Sequence, residues 1–327
     1  MSRLTKLYGL ALLLSLSACG GGKAFHNDPP SAHKNLWDVW RWQWQRQPPQ
    51  WVFRTNQHTP KLAARVYQGV RVTPINHATV LIQMAGLNIL TDPIWSERAS
   101  PVSWAGPRRF HPPALPLTQL PPIDVVLVSH NHYDHCDLPT LQALQQQFSP
   151  LFITPLGNAE LIAQATGSSR IHTLDWWQTH THGAVKLTLT PAQHWSSRFI
   201  FDRNQALWGG FMLDSGTHKV FFAGDTAWGE HFAHIRQRLG APDVALLPIG
   251  AYLPRDFMRA QHIDPAEAVR AYQILGARAA LGIHHATFQL ADEGQDQAAQ
   301  DLAHALALQK IAPARFQAAQ AGASQDY

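Results

Sequence analysis

Ile123-Asp124-Val125-Val126-Leu127-Val128-Ser129-His130-Asn131-His132-Tyr133-Asp134-His135 is the stretch on which the reading of the whole chain turns. Its first half is an almost unbroken β-branched run, the pattern of a strand buried on both faces. Its second half puts three imidazoles and a carboxylate within six residues, where the strand should end. Side chains of that kind are costly to desolvate unless something binds them, so the turn reads as a metal site rather than a His-rich surface loop. Strand candidates interspersed with helical segments from about Val70 onward put the chain in the α/β class.

Three other ligand-type residues fall at the carboxyl ends of apolar runs. His194 closes the segment from Lys186, Asp225 follows Val220-Phe221-Phe222-Ala223-Gly224, and His284 follows Ala279-Ala280-Leu281-Gly282-Ile283. If these strands share a sandwich of sheets, their ends meet on one edge, and seven ligands converge there. Seven suit two ions. The first would take His130, His132 and His194, the second Asp134, His135 and His284, with Asp225 bridging. Two ions about 4 Å apart share a hydroxide whose pKa is lowered toward ~7, so the expected chemistry is hydrolysis. Imidazole-rich, thiol-free donors favour two zinc ions and leave iron or manganese open. Cys136, beside the cluster, reads as a small buried residue under the turn.

This pattern of His-x-His-x-Asp-His with a later His, Asp and His resembles the metallo-β-lactamase superfamily, which implies an αββα sandwich of two mixed sheets flanked by helices. Members using di-iron redox chemistry usually carry Glu in the place of His132, so the resemblance implies a hydrolase. Further segments are similar to the branch that hydrolyses N-acylphosphatidylethanolamine as a phospholipase D. They include Asn76-His77-Ala78-Thr79, Leu90-Thr91-Asp92-Pro93, Gly106-Pro107-Arg108-Arg109-Phe110, Pro191-Ala192-Gln193-His194-Trp195, Pro248-Ile249-Gly250-Ala251-Tyr252 and Gln261-His262-Ile263-Asp264-Pro265. His285 departs from that branch, which places Trp beside the last ligand. The implied reaction is attack of hydroxide on a phosphodiester, releasing phosphatidate and an N-acylethanolamine. Asp134 and His262 are the candidates for proton transfer to the leaving alkoxide. Asp92 reads as a carboxylate orienting a ligand imidazole or as a turn residue, and His77 as pocket wall or support for a ligand. Arg108 and Arg109 read as solvated loop residues within reach of lipid phosphate. A lactonase or small phosphodiester hydrolase of the same superfamily is the alternative reading, and a non-catalytic envelope scaffold the third.

The N-terminus carries a different message. Arg3 and Lys6 precede an apolar run from Leu7 to Leu16, too short to span a bilayer, and Leu16-Ser17-Ala18-Cys19 resembles a bacterial lipobox. Residues 1–18 are therefore expected to be a lipoprotein signal peptide. Residues 19–60 are expected to form a tether and Trp-rich extension, and 61–327 the hydrolase domain. Lipidated Cys19 would anchor the chain in the cell envelope, by resemblance on the periplasmic face of the outer membrane. Trp37, Trp40 and Trp44 fall at helical spacing. They suit either docking on the main domain or contact with lipid headgroups. The formal net charge of +4 on 327 residues comes from scattered basic residues. That argues against a nucleic-acid groove and leaves a weak preference for anionic partners; a phospholipid partner is what the family resemblance implies. The sequence carries no signal for an oligomeric state.

Overall fold

The computed structural model describes residues 24–30, 36–60, 62–199 and 201–327. The expected signal peptide and Cys19 lie outside them. Two mixed seven-stranded sheets face each other. The first contains β1 (Val70–Asn76), β2 (Thr79–Met84), β3 (Leu87–Thr91), β4 (Val125–Leu127), β5 (Leu151–Pro155), β6 (Ile171–Leu174) and the C-terminal β14 (Gln325–Asp326), in the order β14-β1-β2-β3-β4-β5-β6. The second contains β7 (Thr179–His182), β8 (Val185–Thr190), β9 (Gly210–Asp214), β10 (Lys219–Phe222), β11 (Val244–Pro248), β12 (Ala279–Ile283) and β13 (Phe316–Ala318), in the order β13-β12-β11-β10-β9-β8-β7.

The continuous apolar run of β4 is explained by its surroundings. Val125 and Leu127 face the core between the sheets, which they share with Leu189, Phe222, Leu246 and Ile283. Val126 and Val128 face the other way, onto Leu141 and Leu144 of α2 (Leu138–Phe148) and Ile162 of α3 (Ala159–Thr166). Both alternating sets are therefore buried, as in any parallel strand covered on two faces. The second sheet is covered in the same way by Phe232 and Ile235 of α4 (His231–Leu239), Val269 and Leu275 of α6 (Pro265–Leu275), and Leu302 and Leu306 of α7 (Gln297–Leu308). The result is the αββα order of layers. Asp264 and Glu267 close a reciprocal capping box at the start of α6, satisfying two otherwise orphaned amides.

Strand direction puts the ligand-bearing ends together. β3, β4 and β5 are mutually parallel, as are β10, β11 and β12. β1 lies two antiparallel steps from β3, and β8 two antiparallel steps from β10, so each shares its sheet's direction. The carboxyl ends of β1, β3, β4, β8, β10 and β12 consequently open on one edge.

The Trp-bearing segment forms α1 (Leu36–Gln45). It docks through a residue outside the stripe singled out from the sequence. Trp42 stacks on Phe257 of α5 (Arg255–Met258) at 4.8 Å and donates to Asp292, while Arg46 binds the Asp292 carboxylate and the Ala291 carbonyl. Trp37, Trp40 and Trp44 point outward in a stacked ladder. Arg109 is likewise not a solvated loop residue. It is buried, donates to the carbonyls of Ser96, His111 and Ile94, and lies over the Phe288 ring, which leaves it structural. Arg108 is exposed beside Glu97.

Candidate metal centre

The turn after β4 brings His130, His132, Asp134 and His135 to the sandwich edge, and the ends of β8, β10 and β12 bring His194, Asp225 and His284 against them. The seven residues fall into two groups around one carboxylate. In the first, His132 Nδ1 lies 2.8 Å from His130 Nε2 and 3.3 Å from His194 Nε2. Three nitrogens on a shared tetrahedral ion would be about 3.3 Å apart, so the spacing fits a common centre. In the second, one Asp134 oxygen lies 3.2 Å from both His135 Nε2 and His284 Nε2. Asp225 Oδ2 reaches both groups, at 3.2 Å from His135, 3.1 Å from His284 and 3.8 Å from His194.

Buried ligand atoms without hydrogen-bond partners show that these residues suit a cation. His135 Nε2 and Asp225 Oδ1 are closed off from solvent and make no hydrogen bond. Electrostatics point the same way. Burial pushes His194 down to about 4, and drives His130 and His132 well below the usual imidazole range, so all three are neutral donors. Burial acts against charge on His284 too, yet the Asp225 and Asp134 carboxylates raise it to about 9, and His135 is raised as well. No Lys or Arg pairs with either carboxylate among the described residues. Their charge is balanced by imidazolium protons that a divalent cation can replace.

Each candidate ligand ring is held from behind. Asp92, after β3, accepts from His135 Nδ1 at 2.6 Å and takes both the amide and the hydroxyl of Ser129, whose oxygen also meets His130 Nδ1 at 2.9 Å. One carboxylate thus orients a ring in each group, which settles the choice left by the sequence in favour of orientation over a plain turn. His194 Nδ1 donates to the Gln261 carbonyl, and its backbone is clamped in both directions by Asn27. Asn27 lies in the 19–60 extension and no motif marked it. His77, after β1, sets Nε2 2.9 Å from Asp134 Oδ2, while its carbonyl accepts from the His284 amide. His77, Asp92 and His284 all have left-handed φ, at 45°, 34° and 61°. Such conformations are held only where surrounding contacts over-determine them, as here. Gly224 also turns left-handed, and a Cβ on it would fall 2.8 Å from that of Ser129, so only glycine lets Asp225 approach the turn.

Cys136 is fully buried, with its thiol pushed up to about 12 by burial, and it takes no part in the cluster. His262, before α6, lies with Nδ1 3.8 Å from Asp225 Oδ2 and without a hydrogen bond on that nitrogen. His285 lines a cavity of about 610 Å³ with Asn76, His77, His111 and Arg54, behind the second ligand group.

Residues 87–285 match the β-lactamase superfamily domain. Over 232 residues the chain is 37% identical to N-acyl-phosphatidylethanolamine-hydrolyzing phospholipase D 1 of Caenorhabditis elegans, covering 68% of this chain and 65% of that one. It is also 37% identical, over 215 residues, to the mitochondrial N-acyl-phosphatidylethanolamine-hydrolyzing phospholipase D of Saccharomyces cerevisiae, covering 64% of this chain and 46% of the relative. The chain therefore spans less than two thirds of the length of either. A possible metal-dependent hydrolase from Veillonella parvula superposes with a TM-score of 0.65 at 14% identity, covering 80% of this chain and all of that one.

Proposed function

The chain belongs to the β-lactamase superfamily, and on that premise we propose that it is a dinuclear metal-dependent phosphodiesterase cleaving a membrane phospholipid in the phospholipase D manner. The observation that carries the reading is the convergence of His135, His284 and His194, drawn from two imidazole-rich groups, on one Asp225 oxygen. His130, His132 and His194 would hold one ion and Asp134, His135 and His284 the other, with Asp225 between them. Zinc suits these donors best, ahead of iron or manganese. A bound pair supplies a hydroxide nucleophile at neutral pH and polarises a phosphoryl oxygen.

The chain's own groups do the rest. Asp134 is engaged by three imidazoles, which hold it well below the usual carboxylate range despite burial, so it serves as ligand and acceptor. His262 is the group left free to meet substrate. Burial lowers it to about 3, so it enters as a neutral imidazole with one N–H to donate to the leaving oxygen as charge develops there. His262→Ala is expected to cost about 10²-fold on an alkyl phosphodiester and much less on a nitrophenyl one, whose leaving group needs little help. Parallel rate measurements on the two substrates check this; equal losses on both contradict the role.

Two relatives' names and the surface around the site support the lipid. Trp37, Trp40 and Trp44 are 57%, 44% and 60% exposed on a helix that Trp42 and Arg46 anchor. Phe199 and Phe201 stand exposed on the loop whose Arg198 grips the carbonyls of Asn131 and Cys136, and Trp104 stands on the loop that packs Ala99 beside Tyr133. Exposed aromatics on several elements around one site suit the headgroup level of a bilayer. We extend the reading to an envelope lipoprotein tethered through Cys19 to the outer membrane, facing the periplasm. Replacing Trp37, Trp40 and Trp44 together by Ser should lower turnover on vesicles about 10-fold and leave a soluble short-chain phosphodiester unaffected. Equal losses in both assays would mark the ladder as structural. Product analysis after digestion of mixed phospholipid vesicles tests the activity itself.

A further inference from the structure

β6 and β7 follow each other in the chain but are edge strands of different sheets, so the backbone between them crosses the open side of the sandwich. Three histidines lie there. His172 pairs with Ile153 of β5, and His180 and His182 pair with Leu187 and Val185 of β8. All three partners belong to the core between the sheets. Cross-strand partners share a face, so the three imidazoles face the gap between the sheets, where neighbouring strands place Val, Leu and Ile.

The rings meet one another instead of sealing the edge with apolar atoms. His172 and His180 are 4.3 Å apart by ring centroid, and His180 and His182 6.5 Å. At the metal centre the His130, His132 and His194 rings are separated by 4.5, 4.7 and 5.1 Å. The His172–His180 spacing matches that range, and His182, the more distant ring, would have to swing toward the pair for the three to share an ion. Burial and the neighbouring His172 and His182 lower His180, which favours its neutral, ligand-competent form. The β7–β8 turn lies at the amino end of β8, whereas His194 follows its carboxyl end. His180 and His182 are therefore roughly 20 Å along the strand from His194, and His172 lies two strands across the sheet from β4, which carries His130 at its end.

We propose that His172, His180 and His182 form a structural zinc site that staples the edge of one sheet to the edge of the other. Three imidazole nitrogens with no carboxylate among them select a borderline transition metal over calcium or magnesium, and water can complete the tetrahedron. An ion held by ligands on two sheets binds only the folded chain and raises its stability by mass action.

Tag-free full-length protein, stripped of metal and titrated with zinc, tests this by ion counting and thermal unfolding. Wild type should take up one ion more than the His180→Gln/His182→Gln double variant and gain a few degrees in Tm with that ion, while turnover is the same in both. His172→Gln, on the opposite sheet, should lose the same ion, which separates ligation from damage to β7. Equal zinc counts in wild type and either variant overturn the proposal.

Discussion

Asp225→Asn should abolish turnover while leaving the fold in place. Its Oδ2 is the atom that both imidazole groups approach, so on the proposed assignment the substitution weakens a ligand to each ion at once. Loss of a group that merely orients a ligand costs about 10- to 100-fold in metal affinity or activity, so a shared carboxylate should cost at least about 10³-fold in rate. Asn keeps the shape but drops the charge that offsets two dications. Metal content should fall from two ions to one or fewer at the centre, with the circular dichroism spectrum unchanged. Full activity with two ions retained would remove Asp225 from its bridging place.

Stripping the metal with a chelator is the second large effect. Activity should vanish and return with zinc, and the stripped protein should acquire a pH dependence that the loaded protein lacks. In the metal-free fold the carboxylates around His284 outweigh the opposing effect of burial and raise it from 6.5 to about 9. A raised pKa stabilises the fold fully below the unfolded value of 6.5, and that contribution is lost as pH rises through about 9. Asp134 and Asp225, held low by neighbouring imidazoles against the pull of burial, contribute above the ordinary carboxylate range and lose their contribution as pH falls through their depressed values. Between pH 7 and 10 the Tm of stripped protein should therefore decline faster than that of loaded protein, in which an ion takes the nitrogen lone pair that the proton held. Parallel Tm curves, or activity indifferent to chelation, would contradict the assignment.

Much of this site could be read from strand ends. An apolar run followed by His or Asp marks a carboxyl end, and the parallel direction of β4, β10 and β12 brings such ends together. α2 and α3 each end where the chain turns left-handed, at Ser149 and Gly167. Contacts made from outside the pattern were not legible. Asn27 secures His194 from 167 residues away in sequence, through two bonds that leave no local periodicity. Trp42 docks α1 because Phe257 and Asp292 are there to receive it, and helical spacing alone favoured Trp37, Trp40 and Trp44. Arg109 looked solvated for the same reason: its three carbonyl acceptors are supplied by chain folding back on itself. Short edge strands such as β6, β7, β13 and β14 were invisible because two to four residues are too few for a period.

Hydrolysis at phosphorus in a membrane lipid is traced most directly by the fate of solvent oxygen. Zinc-loaded protein should be incubated with mixed phospholipid vesicles containing N-acylphosphatidylethanolamine in ¹⁸O-labelled water, and the products read by mass. The expected products are phosphatidate carrying one ¹⁸O and an unlabelled N-acylethanolamine. Label in the released alcohol, or fatty acid and lysolipid in place of phosphatidate, would contradict it.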